Sequence, residues 1–275
     1  MKKKIIAVIT GSRPDYAALK QVSNLINSEK TLKLRLVVTG SHLFKGNKIL
    51  VNFINNDGFK IHKKVIISTK NFSPASISES MGLGVKNFSK YYSKYKPDFI
   101  LVMGDRFEIY ASVIAAIPFN IPVGHIEGGE ITEGAFDDAI RHSLTKLSHL
   151  HFVSNKIHMK RVKQLGEESW RIHLTGSPCV DTIRYNKPKS LKYLKSKYNF
   201  SINKKLLLVT FHPVTLEFKK SKQYIKELLT ALKRFDYTII FTSPNQDTNS
   251  DIILSEILKF VKNKTNAYFV NNFGS

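Results

Sequence analysis

Short, nearly unbroken apolar runs recur along this chain, and a stretch of helical period follows each one. The runs at 4–10 (KIIAVIT), 34–39 (LRLVVT), 98–103 (DFILVM), 122–126 and 150–153 lack the regular polar alternation of a strand with one wet face. Strands of that kind are buried on both faces. Between helices, they form a parallel sheet covered on each side. Helical period is read over 15–27, with Pro14 in the first turn, and over 47–56, 77–94, 108–117, 137–148 and 156–165. A shorter strand is read at 61–67, and Gly82 and Gly84 are soft spots in the long helix. The fold class expected is α/β, doubly wound.

The pattern fades over 166–188, which reads as a connector. A second series then runs strand 205–210, helix 221–235, strand 237–241, helix 250–262 and strand 267–270. A doubly wound domain ordinarily has about five or six strands, so the second domain reads as incomplete. The division is placed at 170/171, giving domains 1–170 and 171–275.

Reactive side chains sit directly after the strands. The first strand runs into Gly11-Ser12-Arg13-Pro14-Asp15, and the strand at 98–103 into Gly104-Asp105-Arg106. The strand at 122–126 carries His125 and runs into Glu127-Gly128-Gly129-Glu130. In the second series, Phe211-His212-Pro213 follows one strand, and Ser243-Pro244-Asn245-Gln246-Asp247 follows the next. Ligands of open parallel sheets bind at the carboxyl ends of the strands. Each residue also has a plainer use. Asp105 suits a helix N-cap. Asp137 and Asp138 suit a helix start and i,i+4 pairs with Arg141 and His142. His212 suits a packed position.

Several function classes are disfavoured. The formal net charge of +22 invites nucleic acid, yet 35 of the 43 basic residues are Lys, spread without a block. Base and phosphate readers lean on Arg forks and aromatics. Biased composition, or a field that draws an anionic small substrate, accounts for the charge without a nucleic-acid partner. The sequence GSRPDY is not a dinucleotide fingerprint, so no nicotinamide or flavin cofactor is expected. His142, His149 and His151 match no zinc spacing, so no metal is expected. Cys179 is the single cysteine, which excludes an internal disulfide and suits a reducing, cytoplasmic setting. Met1-Lys2-Lys3-Lys4 precedes an apolar run, 5–9, too short for a signal or membrane segment, so no membrane association is expected.

The run Gly124-His125-Ile126-Glu127-Gly128-Gly129-Glu130, followed by Asp137-Asp138-Ala139-Ile140-Arg141-His142, resembles the hydrolysing UDP-N-acetylglucosamine 2-epimerases. So do the segments 10–16, Gly104-Asp105-Arg106, Gly176-Ser177-Pro178 and 211–215. The resemblance covers essentially the whole chain, in order. It implies two Rossmann-like domains of GT-B type and a UDP-sugar substrate used in making sialic-acid-like sugars. By motif, Arg13, Arg106, His212 and Asn245 would hold the uridine diphosphate. Asp105, Glu127, Asp137 and Asp138 would supply acid–base chemistry, with Glu127 or Asp105 as base. His212 would assist the leaving phosphate. The resemblance also implies a homo-oligomer.

Two departures accompany it. Family members run longer, and the additional part carries a Gly-Asn-Ser-Ser-type phosphate loop and a ribose-binding Glu. On that basis the chain reads as C-terminally truncated, with a weakened nucleotide site. Ala17 stands where a Ser is often found, a loss of about 1 kcal/mol for one hydrogen bond. The alternatives are a UDP-2,4-diacetamido-trideoxy-glucose 2-epimerase of the legionaminic type, an inactive remnant, and a GT-B glycosyltransferase.

Overall fold

The first strand, β1 (Lys4–Thr10), is buried from Ala7 onward, and its side chains divide between two cores. Ala7 and Ile9 join Val37, Ile100 and Val102 on one face of the sheet, while Val8 joins Leu36, Val38, Leu101 and Met103 on the other. Successive strand residues point to opposite faces, so an unbroken apolar run is what a sheet covered on both sides requires. The computed structural model describes residues 2–44, 48–67, 71–185, 188–202, 205–245 and 247–273, with the side chains of 48–50 outside that description. Asn47, in the helix read at 47–56, and residues 186–187 of the expected connector lie outside it.

The remaining strands of this sheet are β2 (Leu32–Val38), β3 (Ile61–Lys64), β4 (Phe99–Met103), β5 (Val123–Ile126), β6 (Leu150–Val153) and β7 (Ile172–Leu174). All pair in parallel, in the order β3-β2-β1-β4-β5-β6-β7. The chain winds outward from β1 to β3 and returns to β4 on the other side of β1. The β1/β4 boundary is therefore the topological switch point, where a crevice opens at the strand ends.

α1 (Arg13–Ser28) and α2 (Lys48–Asn56) cover one face through Tyr16, Ala18, Leu19, Ile26 and Ile54. α3 (Pro74–Tyr95), α4 (Phe107–Ala116) and α5 (Asp137–Leu147) cover the other, with Phe88, Tyr92, Phe107, Ile109 and Leu144 fully buried. α6 (Lys156–Gln164) packs Val162 against Val153 and Ile172. Gly84 is a packing site and no soft spot: a Cβ there would stand 2.8 Å from Ile67 Cδ1 and 2.9 Å from Ala111 Cβ on α4. Gly82 has nothing within 4 Å of such a Cβ.

The chain divides into two compact units, Met1–Asn186 and Lys187–Ser275. The division read at 170/171 comes too early, because β7 pairs with β6 and α7 (Pro178–Tyr185) packs along α1. The expected connector thus holds a strand and a helix. β7 is three residues long with two exposed, and α7 buries little beyond Pro178, so neither carries a readable period.

In the second unit, β8 (Leu206–Val209), β9 (Thr238–Thr242) and β10 (Ala267–Val270) form a parallel sheet in the order β10-β9-β8. α9 (Ser221–Leu232) and α10 (Ser250–Lys262) cover one face with Ile225, Leu229, Ile253, Ile257 and Phe260. On the other face, Phe200 lies with Ile240 and Val270. A lysine-rich helix that the sequence did not disclose, α8 (Leu191–Tyr198), precedes Phe200. Among the described residues no helix is long and apolar enough to cross a membrane.

The two glycines of α3 separate cleanly by experiment. Gly82→Ala is expected to stabilise by up to about 1 kcal/mol, the helix-propensity gain. Gly84→Ala is expected to destabilise by about 1–3 kcal/mol through overpacking, as measured by urea unfolding of the two variants.

Candidate active site

The first unit assembles its polar residues where β1, β2, β4 and β5 end. Ser12 caps α1, its Oγ accepting the Asp15 N–H at 3.4 Å, while the Gly11 N–H donates to Asp15 Oδ2 at 3.2 Å. Arg13 is the first residue of α1 and is half-buried. The loop after β2 lies directly against this turn. The Ser41 N–H donates to Gly11 O at 2.8 Å, and Gly40 sits at φ +57°. A Cβ on Gly40 would stand 2.5 Å from Gly11 O and 2.9 Å from Glu108 Cγ, so only glycine fits.

The turn after β4 carries Asp105 and Arg106. Arg106 Nε lies 3.4 Å from Glu108 Oε2, and Glu108, in the first turn of α4, is only 1% exposed. Burial raises the pKa of Glu108, against the pull of Arg106. His125 holds this turn from the neighbouring strand, its Nε2 2.7 Å from Gly104 O. A carbonyl only accepts, so Nε2 carries the proton. Burial lowers the His125 pKa to about 4, which keeps the ring neutral.

Asp105 is bound by Arg141 of α5, whose Nη2 donates to Asp105 Oδ2 and, at 2.9 Å, to Thr132 Oγ1. Arg141 is itself buried, at 6% exposure. Its Nη1 lies 3.6 Å from Asp138 Oδ1, the oxygen that also accepts the Thr132 N–H at 2.9 Å. Asp138 Oδ2 lies 3.5 Å from His142 Nε2, the i,i+4 pair read from the sequence. Asp138 is thus spent on the loop and on its own helix. Asp137 opens α5 and is half-buried.

Glu127 follows β5 in the left-handed region at φ +63°. Its N–H donates to Phe152 O at 2.9 Å, and its Oε1 accepts a 2.7 Å bond from Ser177 Oγ. Burial raises the Glu127 pKa; Ser177 opposes the shift, and the charges of Glu130, Arg141 and Asp105 are all felt there. Asp105 is likewise raised by burial, with Arg141 and Arg106 opposing and Glu130 adding. Asp105, Glu127 and Glu130 therefore form one electrostatic group around Arg141. Burial pushes the Asp105 and Glu127 carboxyls upward, toward the protonated form, which is the direction general acid–base work at neutral pH calls for.

The second unit brings two further residues together. The Asn245 N–H donates to His212 Nδ1 at 3.0 Å, joining the loops after β8 and β9. An accepting Nδ1 places the proton of the neutral ring on Nε2. Both residues are exposed, and Gln246 beside them lies outside the described residues. The three histidines weighed as a cluster take separate partners: His142 Asp138, His149 the Val123 N–H at 3.2 Å, and His151 Glu167 at 3.1 Å. Among the described residues no three metal-ligating side chains converge.

The family model described as UDP-N-acetylglucosamine 2-epimerase matches residues 24–275. The chain belongs to that family. It is 36% identical to the GDP/UDP-N,N'-diacetylbacillosamine 2-epimerase (hydrolyzing) of Campylobacter jejuni, over all of this chain and 72% of the relative. It is 34% identical to the UDP-N-acetylglucosamine 2-epimerase of Neisseria meningitidis, over 96% of this chain and 69% of that one. Among solved structures, the Neisseria meningitidis epimerase bound to UDP-GlcNAc superposes with a TM-score of 0.80 at 20% identity, over 98% of this chain and 73% of that one. The Methanocaldococcus jannaschii epimerase, with UDP-GlcNAc and UDP, also gives 0.80, at 18% identity. The fold is that of these GT-B-like epimerases, and the family is one of enzymes.

Within this member of the family, three supporting residues were not singled out as site residues by sequence reasoning. Arg141 was read only as a partner of Asp137; the visible signal was an Arg between Ile140 and Leu144 on the buried face of α5. Glu108 is a lone acid in the apolar helix FEIYASVIAA. Ser177 lay in a recognised motif without an assigned contact.

Removing one partner of the Arg141–Asp105 pair leaves a buried charge uncompensated. Arg141→Met is expected to cost about 3 kcal/mol in urea unfolding at neutral pH. His125 gives a pH signature. With its folded pKa near 4, below the ordinary histidine value of 6.5, its stabilisation is full above 6.5 and is lost as pH falls toward 4. The difference in stability between the protein and His125→Gln is expected to shrink by about 2 kcal/mol from pH 7 to pH 5, measured by urea titration at both.

Proposed function

We propose that this chain is a hydrolysing UDP-N-acetylglucosamine 2-epimerase, releasing UDP and N-acetylmannosamine. The observation that carries the reading is the pair of half-buried carboxylates, Asp105 and Glu127, at the ends of β4 and β5 around Arg141. Family membership supports it. The reaction begins when a carboxylate removes the proton at C2 of the sugar. The electron pair forms the C1–C2 double bond and the C1–oxygen bond to UDP breaks, leaving a 2-acetamidoglycal. Water then adds, hydroxyl at C1 and proton at C2 on the opposite face, which inverts C2.

Glu127 or Asp105 is the base in this reading. Glu127 projects from a left-handed turn, whereas Asp105 is tied to Arg141. Asp137 and Asp138 support hydration, Asp138 through its hold on Arg141 and the Thr132 loop. Arg13, Arg106, His212 and Asn245 take the uridine diphosphate, and a proton on His212 Nε2 suits it to the departing phosphate. The second unit is read as a partial nucleotide-binding domain. A cytoplasmic homo-oligomer completes the reading, supported by the single cysteine and the family resemblance.

A second sugar has its own support. Two relatives, at 36% and 33% identity, are named for hydrolysing diacetylbacillosamine epimerisation. A UDP-2,4-diacetamido-trideoxy-glucose is therefore the alternative substrate.

Phosphorus NMR of the chain with each UDP-sugar separates these readings. UDP release from UDP-N-acetylglucosamine is expected, with one deuterium at C2 of the product in heavy water. Asp105→Asn is expected to reduce release by about 10²–10⁴-fold. Release only from the diacetamido sugar assigns the second substrate, and release from neither overturns both.

A further inference from the structure

We propose that Ser177 is a positioning residue that fixes the direction of the Glu127 carboxylate at the end of β5. Glu127 has a backbone conformation that costs an ordinary L-residue about 1 kcal/mol or more. Its N–H is pinned to Phe152 O, so the main chain cannot turn to re-aim the side chain. Direction is then left to the carboxylate's own contacts. Among the described residues, its hydrogen bond is the one from Ser177 Oγ at 2.7 Å.

The serine is itself held at both ends. The Thr175 N–H donates to Val153 O at 3.0 Å, anchoring the approach to the end of β6. On the far side, α7 lies along α1, with Thr182 Oγ1 3.0 Å from Ala17 O and 3.1 Å from Pro178 O. The Ser177 oxygen accepts the Cys179 N–H at 3.4 Å, at the start of α7. With its oxygen so occupied, the hydroxyl has its single proton for Glu127. A donor of this kind stabilises the ionised carboxylate, the form able to take a proton. The segment leading into the last helix of the first unit thereby sets a side chain at the end of β5.

The kinetic part of this inference rests on the proposed reaction; the titration part does not. The test uses the full chain and compares Ser177→Ala with Ser177→Thr, which keeps the hydroxyl. The Glu127 carboxyl is followed by carbon-13 NMR against pH and assigned with Glu127→Gln. Ser177→Ala is expected to move the midpoint upward by about one pH unit, and Ser177→Thr to restore it. With an active UDP-sugar, Ser177→Ala is expected to lower kcat by about 10- to 100-fold, the worth of a hydrogen bond to a charged group. KM should change little, and the acid limb of the pH–rate profile should move upward with the carboxyl midpoint. An unchanged Glu127 midpoint in a folded Ser177→Ala variant overturns the proposal. If no UDP-sugar reacts, the functional reading fails, and the carboxyl titration still decides the role of Ser177.

Discussion

One buried guanidinium organises the first unit's polar centre. Arg141 enters from α5 and reaches Asp105 after β4, Thr132 in the loop beyond β5, and Asp138 on its own helix. A charge at that depth is tolerated only with partners of opposite sign and well-placed acceptors. Here those partners include Asp105 and Asp138, two of the carboxylates that the proposed reaction uses. The glutamate after β5 and the aspartate after β4 come from neighbouring strands, so the sheet sets their spacing. Arg141 then sets their shared charge balance.

The architecture was legible because burial on both faces leaves a coarse mark. β1, β6, β10 and α10 fall on the residues read from pattern alone, and most other elements fall within three residues. The losses share a physical character. β7 is an edge strand of three residues, and α7 and α8 lie half in water with lysines, tyrosines and short apolar stretches. Such elements exist because a neighbour holds them, and a neighbour leaves no period in the sequence. The boundary between the units moved for the same reason, since β7 and α7 belong to the sheet and to α1.

The site was legible by type and order. Asp105, Glu127, Asp137 and Asp138 stand at strand ends and a helix start, as position in the chain foretold. Contact was not legible. That Arg141 spans thirty-six residues to Asp105, or that Ser177 spans fifty to Glu127, depends on the order of strands in the sheet. Glu108 was hidden by its setting, an acid inside an apolar helix whose burial cost Arg106 opposes only in part.

β1 has no face that water tolerates beyond its first residues. Ala7 and Ile9 serve one core and Val8 the other. A substitution there is a local fault, one cavity or one clash. Insertion or loss of a single residue would exchange the two sets, sending every later side chain to the wrong core. The number of residues between the first loop and the next is therefore a stricter inheritance in this sheet than which apolar residues fill it.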